Sequence, residues 1–434
     1  MSKDKNDGNM MESTTLEPVP QEARKSWVNI AFITAGGMIC VPSLVIGGTL
    51  VAEMSLGSAL IAGAIGYLLT VLMSYTMGVI GADLGVPTCV IALPAFGKKG
   101  GQYIVSTVFT IALLGWYGLQ TNICGAAFSQ MVLQIFGWDV PVWVSSVIWG
   151  VIMLVTAMYG INALEILNKI SVPALIIVTI YGMYLAAKNY GTAGIFEIGQ
   201  NHTMSILSAA LMTFSFLTVV SILTPDVSRY QKTRTDVFKA SFVGILPAGV
   251  GLLALGCVLT GLVGNPDITV VLSDLGIPVL GMIVLILSTW TTNTLNAYSA
   301  GLDIVLMFKL KETSRGRVTL ISGIAGTLLA VLGILDHLAI FIDLLGATLT
   351  PLAAVVMADY FILKKGKLEN WFYSDGVNWI GILSWMAGFA ATKLIHNDFA
   401  LIIGMSGAAL IYILLTKLFG IKKEDVLVYR LNSK

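Results

Sequence analysis

The sequence predicts an all-α integral membrane protein with twelve transmembrane helices in one domain. Hydrophobic residues make up 56% of the 434 residues and charged residues only 11%, whereas a typical soluble domain is about 25% charged. Apolar runs recur along the chain, many of them with the roughly 20 residues that cross a bilayer core. Basic residues are concentrated in every second gap between these runs. Together, composition, run length and charge alternation exclude a string of soluble globular units.

Twelve apolar spans are predicted, with boundaries good to a few residues. They lie near residues 27–50, 56–81, 102–133, 140–160, 164–187, 205–225, 238–263, 278–306, 316–335, 338–363, 378–396 and 399–419. Residues 1–26 and 420–434 are predicted to be cytoplasmic tails of a single domain at 27–419. The first tail contains no apolar core followed by a cleavage site, so we expect a retained leader rather than a signal peptide.

The basic residues fix the predicted orientation. Of the 25 Lys and Arg, only Lys188 and Lys393 lie away from the termini, the even-numbered gaps and the helix turns beside them. Because Lys and Arg near a helix end resist translocation, this bias places both termini in the cytoplasm, in a multi-pass protein of the cell (inner) membrane. A polytopic protein with little mass outside the bilayer usually moves a solute across it, so the pattern indicates transport.

Other functional classes find little support in the sequence. An intramembrane enzyme needs paired acids, a Ser with His or Lys, or a metal cluster at depth, and no such set occupies matching spans, so no enzyme is expected. His202, His337 and His396 fall in predicted outer loops or span ends. The four cysteines have no CxxC spacing and are expected to be small buried hydrophobes. No basic patch indicates nucleic acid, and neither a cofactor nor an obligatory protein partner is expected.

Spans one and six contain residues that interrupt helices. Span one has a glycine pair at 36–37 followed by Pro42, and span six has residues 221–224 followed by Pro225. Gly permits unusual backbone angles and Pro lacks an amide hydrogen. In lipid, an interruption is tolerated where the freed groups line a protein cavity. Breaks at equivalent places in two halves point to a transporter built from inverted repeats, with a simple proline kink as the alternative.

Span three offers a candidate site for a flat ring. Trp116 and Gln120 are four residues apart, so they share a helix face. An aromatic plane beside an amide with donors and an acceptor suits a planar heterocycle with polar edges. A packed Trp, with the Gln bonded to a neighbouring helix, explains the pair equally well. In span six, Ser215 and Phe216 could close a sandwich around such a ring, although a Phe in a span is more often plain packing.

Span eight carries a dense polar cluster at residues 288–296, and such a cluster in mid-membrane is not expected to face lipid. Four of its side chains project over roughly one face: Ser288, Thr291, Thr292 and Asn296. Their oxygens are hard ligands for a small cation, and unwound carbonyls near Gly36 and Ile39 could complete a sodium shell. The alternative is hydroxyls bonded to their own helix and amides that join helices.

Four acidic residues stand out in or beside the spans. Asp83, Asp226 and Asp359 lie near cytoplasmic helix ends, where ion pairs with Lys or Arg are expected. Asp343 is placed about two turns from the outer end of span ten. An intramembrane carboxylate is a functional candidate by default, so Asp343 is a candidate for proton coupling, with pairing to a basic residue as the alternative.

These residues together resemble the nucleobase:cation symporter-1 family, which includes the cytosine permeases and hydantoin transporters. The resemblance runs through nearly the whole chain in a set of motifs kept in order. It comprises Pro18-Val19-Pro20-Gln21, Gly47-Gly48-Thr49-Leu50, Gly115-Trp116-Tyr117-Gly118, Leu223-Thr224-Pro225-Asp226, Trp290-Thr291-Thr292-Asn293, Ala300-Gly301-Leu302 and Ala358-Asp359-Tyr360.

The resemblance implies a five-plus-five inverted repeat, at about 27–187 and 205–363, with two further helices at about 378–419. It implies import of a nucleobase-like ring with sodium or a proton as coupling ion. The ring-stacking positions map to Trp116 and Phe216. The other substrate contacts map to Gln120, Ser215, Ser288 and Asn296. The sodium ligands map to Gly36, Ile39, Ser288, Thr291 and Thr292.

Two departures bear on the substrate. Cytosine permeases carry a Gln where this chain has Leu113, and Ser288 stands where they offer an Asn amide to the ring. Gln120 instead follows the hydantoin-type pattern. A polar contact removed from a site can change discrimination by orders of magnitude. A cytosine-like ring is expected, with hydantoin or allantoin, a purine or a hydroxymethylpyrimidine as alternatives. An amino-acid transporter of the same architecture, or a protein that binds the ring without moving it, is a further alternative.

Overall fold

The computed structural model describes residues 16–191, 203–263, 278–420 and 426–428, and these residues are almost entirely helical. The predicted tails therefore lie mostly outside the described residues, as does His202. A short antiparallel pair joins β1 (Phe372–Ser374) to β2 (Val426–Val428), so part of the C-terminal tail returns to the connection that follows span ten.

Helices occupy each region in which a span was predicted, and their ends differ from the predicted ones by a few residues. In chain order they are α1 (Trp27–Met38), α2 (Val41–Glu53), α3 (Leu56–Leu84), α4 (Thr88–Ile91), α5 (Leu93–Phe96), α6 (Ser106–Phe136), α7 (Val142–Met158), α8 (Ile161–Tyr190), α9 (Ile206–Phe216), α10 (Thr218–Ile222), α11 (Pro225–Ser228), α12 (Arg234–Val263), α13 (Pro278–Met307), α14 (Arg315–Val331), α15 (Leu338–Met357), α16 (Trp379–Leu394) and α17 (Ala400–Phe419).

Several of these helices have the length and composition that a membrane requires. Among the described residues, six continuous helical segments pass this test. They are Leu56–Leu84, Gly100–Phe136, Ile161–Asn189, Arg234–Leu262, Ile340–Leu363 and Ala400–Phe419. Two bent pairs, α1 with α2 and α9 with the segment that follows it, pass when each pair is taken as one span.

Both predicted interruptions are present, since α1 ends before Pro42 and residues 223–224 separate α10 from α11. The second bent pair has in addition a larger bend that the sequence does not predict. The first pair bends by 53° between α1 and α2, just before Pro42. The second bends by 64° at Leu217, well before Pro225. Pro225 stands in the first turn of α11, where a missing N–H has no intrahelical partner to lose. The proline therefore begins a turn, and the chain bends directly after Phe216.

Packing places both bends in the interior of the molecule. Helix α13 lies along α6, and α12 packs against α1, α2 and α3. The α3 helix also contacts α9 and α10, and α1 contacts α8 and α13. Each bend is thus enclosed by long helices rather than facing lipid. All four cysteines are buried and free, as expected.

Two of the three ion pairs predicted at helix ends are present. Arg234 lies 2.7 Å from Asp83, and Lys364 lies 2.7 Å from Asp359. Asp226 accepts a hydrogen bond from the backbone N–H of Thr88 at 2.8 Å. The Arg234–Asp83 pair joins α12 to α3, and the hydrogen bond from Thr88 to Asp226 joins α4 to α11.

Candidate functional site

A small cavity lies between the two bends and is closed on its sides by α6 and α13. Its volume is about 20 Å³, which is room for about one water molecule. The lining residues are Gly37, Cys40, Pro42, Trp116, Gln120, Phe216, Leu217, Val219, Val220, Thr292 and Asn296. We call it the central cavity. It brings together residues from four separate predicted spans.

Trp116 and Gln120 project from the same face of α6 into the central cavity, as their spacing predicts. The Trp116 ring is packed edge to face against Phe341, with centroids 5.9 Å apart and planes at 71°. Gln120 is 1% exposed, and its Oε1 has no hydrogen-bond partner among the described residues. An unsatisfied buried acceptor costs about 1–3 kcal/mol, so Gln120 is prepared to accept a hydrogen bond from a ligand.

The opposite wall comes from the end of α9 and from α13. Phe216 is the last residue of α9 and faces the central cavity. Asn296 lines the same cavity and donates through Nδ2 to Oδ1 of Asn293 at 3.2 Å. Asn293 in turn donates to the backbone O of Tyr117 at 2.9 Å. Asn293 thus joins α13 to α6 and holds Asn296 at the cavity wall.

Ser215 is not brought to the central cavity. Its Oγ donates to the backbone O of Leu211 at 2.9 Å, and it lines a second, outer pocket of about 450 Å³. Consecutive residues of a helix point about 100° apart, and here Phe216 faces the central cavity while Ser215 faces the other pocket. The outer pocket also contains Asp343, which forms an ion pair with Lys393 of α16. Lys393 is one of the two basic residues that break the charge pattern, and this pair accounts for it.

Oxygen atoms converge where α1 ends beside α13. Thr291 Oγ1 lies 3.0 Å from the Gly36 carbonyl oxygen and 2.9 Å from that of Ser288. Thr292 Oγ1 lies 3.2 Å and 3.0 Å from the same two oxygens. Four oxygens from two helices therefore face one another. Ile39 follows as the C-terminal cap of α1.

The side chain of Ser288 does not join this group, because its Oγ donates to the Leu285 carbonyl at 3.0 Å. Ser288 thus contributes its backbone carbonyl alone and does not line the central cavity. Thr292 lines the cavity as well as the oxygen group. The two predicted sites are therefore neighbours that share one residue.

Two buried polar residues went unnoticed in the sequence. Asp303 of α13 is 2% exposed, and Oδ2 has no hydrogen-bond partner within the described ranges. Asn168 of α8 is 1% exposed and lies against Gly36. An acid or amide inside an apolar run is itself a signal of function, so both residues could have been selected from the sequence. The sequence does not show which residues each of them contacts.

Comparison with known proteins agrees with this geometry. A family described as permease for cytosine/purines, uracil, thiamine and allantoin matches residues 18–415. The cytosine permease of Escherichia coli (strain K12) is 27% identical, over 95% of this chain and 96% of that protein. The hydantoin permease of Microbacterium maritypicum is 26% identical, over 89% and 84%.

Solved structures show the same fold. Mhp1, described as a nucleobase-cation-symport-1 family transporter in a closed conformation with bromovinylhydantoin bound, superposes with a TM-score of 0.83 at 21% identity, over 94% of this chain and 96% of that one. A Na⁺-coupled sialic acid symporter superposes with a TM-score of 0.71 at 11% identity, over 92% and 91%. At these identities the likeness concerns the fold.

Proposed function

Because the chain belongs to the nucleobase:cation symporter-1 family of permeases, we propose that it imports a cytosine-like planar N-heterocycle together with a cation. It is an integral membrane transporter of the nucleobase class and not an enzyme. We propose which ring and which coupling ion it carries, and which residues bind them.

The proposed architecture has twelve transmembrane helices with both termini in the cytoplasm. Residues 27–187 form one repeat, residues 205–363 form an inverted second repeat, and residues 378–419 add two helices. Support comes from the two bends, which fall in the first span of each proposed repeat. The alternation of basic residues supports the orientation.

The observation that carries the ring site is the unpartnered Oε1 of Gln120. It faces the central cavity one helical turn from Trp116, with Phe216 and Asn296 on the opposite wall. A ring N–H would satisfy this acceptor while Trp116 and Phe216 stack on the faces of the ring. Because the cavity holds only about 20 Å³, its walls must separate before a ring enters.

The proposed cation site is the oxygen group at the end of α1. Thr291 and Thr292 supply hydroxyl oxygens, while Gly36, Ile39 and Ser288 supply backbone carbonyls. Interrupted helices offer such carbonyls because they lack helical partners. We assign sodium to this site rather than a proton, since none of these groups titrates near neutral pH. Binding there would stiffen the junction of α1 and α13 beside the ring.

A hydantoin-type ring is the second candidate substrate. Leu113, at the position where cytosine permeases carry a Gln, lines a neighbouring cavity below the central one. The Oγ of Ser288 is turned to its own helix. The residues at two positions that contact cytosine in cytosine permeases, Leu113 and Ser288, are thus absent from the lining of the central cavity, whereas Gln120 is part of it.

Thermal stabilisation of the purified protein tests ring and ion together. The panel is cytosine, uracil, a purine, hydantoin, allantoin and a hydroxymethylpyrimidine, each in sodium chloride and in choline chloride. A ligand that binds the folded state raises Tm according to its saturation. We expect one ring class to raise Tm, and to do so only with sodium.

The matched variant is Gln120→Leu, which removes the acceptor and keeps the volume. It should lose the response to the ring and keep the response to sodium. A panel in which no heterocycle changes Tm in either salt would contradict the proposed substrate class. A ring response of equal size in choline would contradict sodium coupling.

A further inference from the structure

Asn168 carries a buried carbonyl oxygen that the fold leaves unsatisfied. The residue lies on α8, is 1% exposed, and its Oδ1 has no hydrogen-bond partner in the part of the chain that the structure describes. Its Nδ2 donates to the Leu164 carbonyl at 2.7 Å. A flipped amide would place two acceptors in that contact, so the hydrogen bond fixes which atom points away from α8.

That oxygen points at Gly36 in α1. A Cβ placed on Gly36 would lie 1.4 Å from Asn168 Oδ1, so the oxygen lies within about 3 Å of the Gly36 α-carbon, given an ordinary carbon–carbon bond length. No side chain fits at residue 36 while Asn168 keeps this position. The glycine is required by the approach of the amide and not by its backbone angles, because its φ is not positive.

The Gly36 carbonyl is the one that Thr291 and Thr292 contact from α13. The unpartnered oxygen of α8 therefore lies beside the proposed cation ligands. An ion of about sodium's size is held at roughly 2.3–2.6 Å by each oxygen. Two oxygens up to about 5 Å apart can thus share one ion.

A second unpartnered oxygen follows on the same face of α8. Ser171 is 1% exposed, lies three residues after Asn168, and its Oγ lacks a partner among the residues described. Serine and threonine hydroxyls in helices usually bond back to their own turn, as Ser288 does. Each unsatisfied buried group costs about 1–3 kcal/mol. Two such costs on one face favour a polar occupant over a dry helix contact.

We propose that Asn168 Oδ1 is a further ligand of the coupling cation and that α8 therefore closes the ion site from a third side. The inference rests on the proposed cation coupling and adds to it a ligand that the family resemblance does not assign. It also gives Gly36 two functions, since its carbonyl binds the ion and its missing side chain admits Asn168.

The test is a sodium titration of the purified protein, read as Tm at constant ionic strength with choline as the replacement salt. Asn168→Leu keeps the volume and removes the oxygen, and we expect it to raise the half-saturating sodium concentration about tenfold or more. Asn168→Asp keeps an oxygen and adds a charge, and we expect it to lower that concentration. Shifts in opposite directions would identify Asn168 as a ligand. If Asn168 only packed against its neighbours, both substitutions would weaken sodium binding.

Controls keep the outcome clear. Ring binding at saturating sodium should survive in both variants, which shows that the central cavity is intact. If Asn168→Leu does not fold, the direction of the shift in Asn168→Asp decides. If either folded variant has the same half-saturating sodium concentration as the wild type, the proposal is overturned. If sodium does not change the Tm of the wild-type protein, both sodium coupling and the Asn168 ligand are contradicted. The proposed ring site is tested separately, by the change in Tm with the heterocycle.

Discussion

The two bent helices satisfy their freed backbone groups in different ways. At the first bend, Ser43 Oγ of the same span donates to the Met38 carbonyl at 2.9 Å, and Thr291 and Thr292 of another helix contact the Gly36 carbonyl. At the second, Thr218 Oγ1 donates to the Phe214 carbonyl at 3.1 Å and Ser221 Oγ donates to the Thr218 carbonyl at 2.8 Å. The first bend thus uses hydroxyls from a neighbouring helix as well as its own, whereas these hydroxyls at the second bend come from its own segment.

This difference explains how two similar interruptions can bind different ligands. A carbonyl held by hydroxyls from another helix can exchange those contacts for an ion that binds all of them. A carbonyl capped within its own segment has no such surplus, so the second bend presents its Phe216 ring instead. The first bend therefore suits the cation and the second suits the heterocycle.

The sharpest way to break this comparison is to remove the contacts made from the other helix. The double variant Thr291→Val, Thr292→Val keeps the shape and removes both hydroxyls. We expect the half-saturating sodium concentration to rise at least about 100-fold, since each contact to a charged group contributes about 1.5–3 kcal/mol.

Thr294→Val is the matched control for that double variant. Thr294 lies on the same helix, but its hydroxyl donates to the Trp290 carbonyl of its own turn at 2.7 Å. It should titrate like the wild type. Equal losses in the control and the double variant would mean that α13 is simply sensitive to lost hydroxyls.

The next largest effect is expected at the ring. Trp116→Leu removes a stacking face that contributes about 1–3 kcal/mol, by analogy with base stacking on aromatic residues, so ring affinity should fall about 5- to 150-fold. Calorimetry at saturating sodium measures this. Trp149→Phe, at a ring cluster with Phe128 and Trp290, should leave ring affinity unchanged, and an equal loss there would argue against a specific stack.

A smaller effect should follow at the second bend. Thr218→Val and Ser221→Ala each remove a hydrogen bond made within the segment, and we expect each to lower the free energy of unfolding by about 1 kcal/mol. Neither should alter the sodium titration. A changed sodium response would show that the second bend also serves the ion, and the contrast between the bends would be lost.

The smallest effect is expected at the outer pocket. Lys393→Met breaks the pair with Asp343, whose side chains are 39% and 64% exposed. Such exposed pairs contribute about 0–1 kcal/mol, so stability, ring affinity and sodium affinity should barely change. Uptake measured against external pH tests whether Asp343 carries a proton. A new pH dependence of uptake in Lys393→Met would instead favour Asp343 as a proton carrier.

The positions of the helices were readable from the sequence because length, apolarity and charge alternation are properties of contiguous residues. The first bend was readable for the same reason, from the glycines and Pro42. The short break before Pro225 was readable from that proline, which begins α11 as a first-turn residue, whereas the larger bend at Leu217 was not predicted. Leu217, where the chain turns, carries no signal of its own.

Side-chain direction was harder to predict than the choice of helix. Trp116 and Gln120 followed from helical periodicity, whereas Ser215 and Phe216 were assigned to one cavity and only Phe216 lines it. Asn168 could not be connected to Gly36 at all, since their contact joins α8 to α1 across the core. The resemblance to a family supplied positions on spans one, three, six and eight and none on α8.

The small size of the central cavity has an electrical consequence. Room for about one water is too little for the chain of hydrogen-bonded waters along which protons hop. The cavity below it is equally small and is partitioned from it by Val219, Val220 and Asn296. In this conformation the two cavities therefore hold no continuous file of water, and this part of the described structure offers protons no path from one cavity to the other.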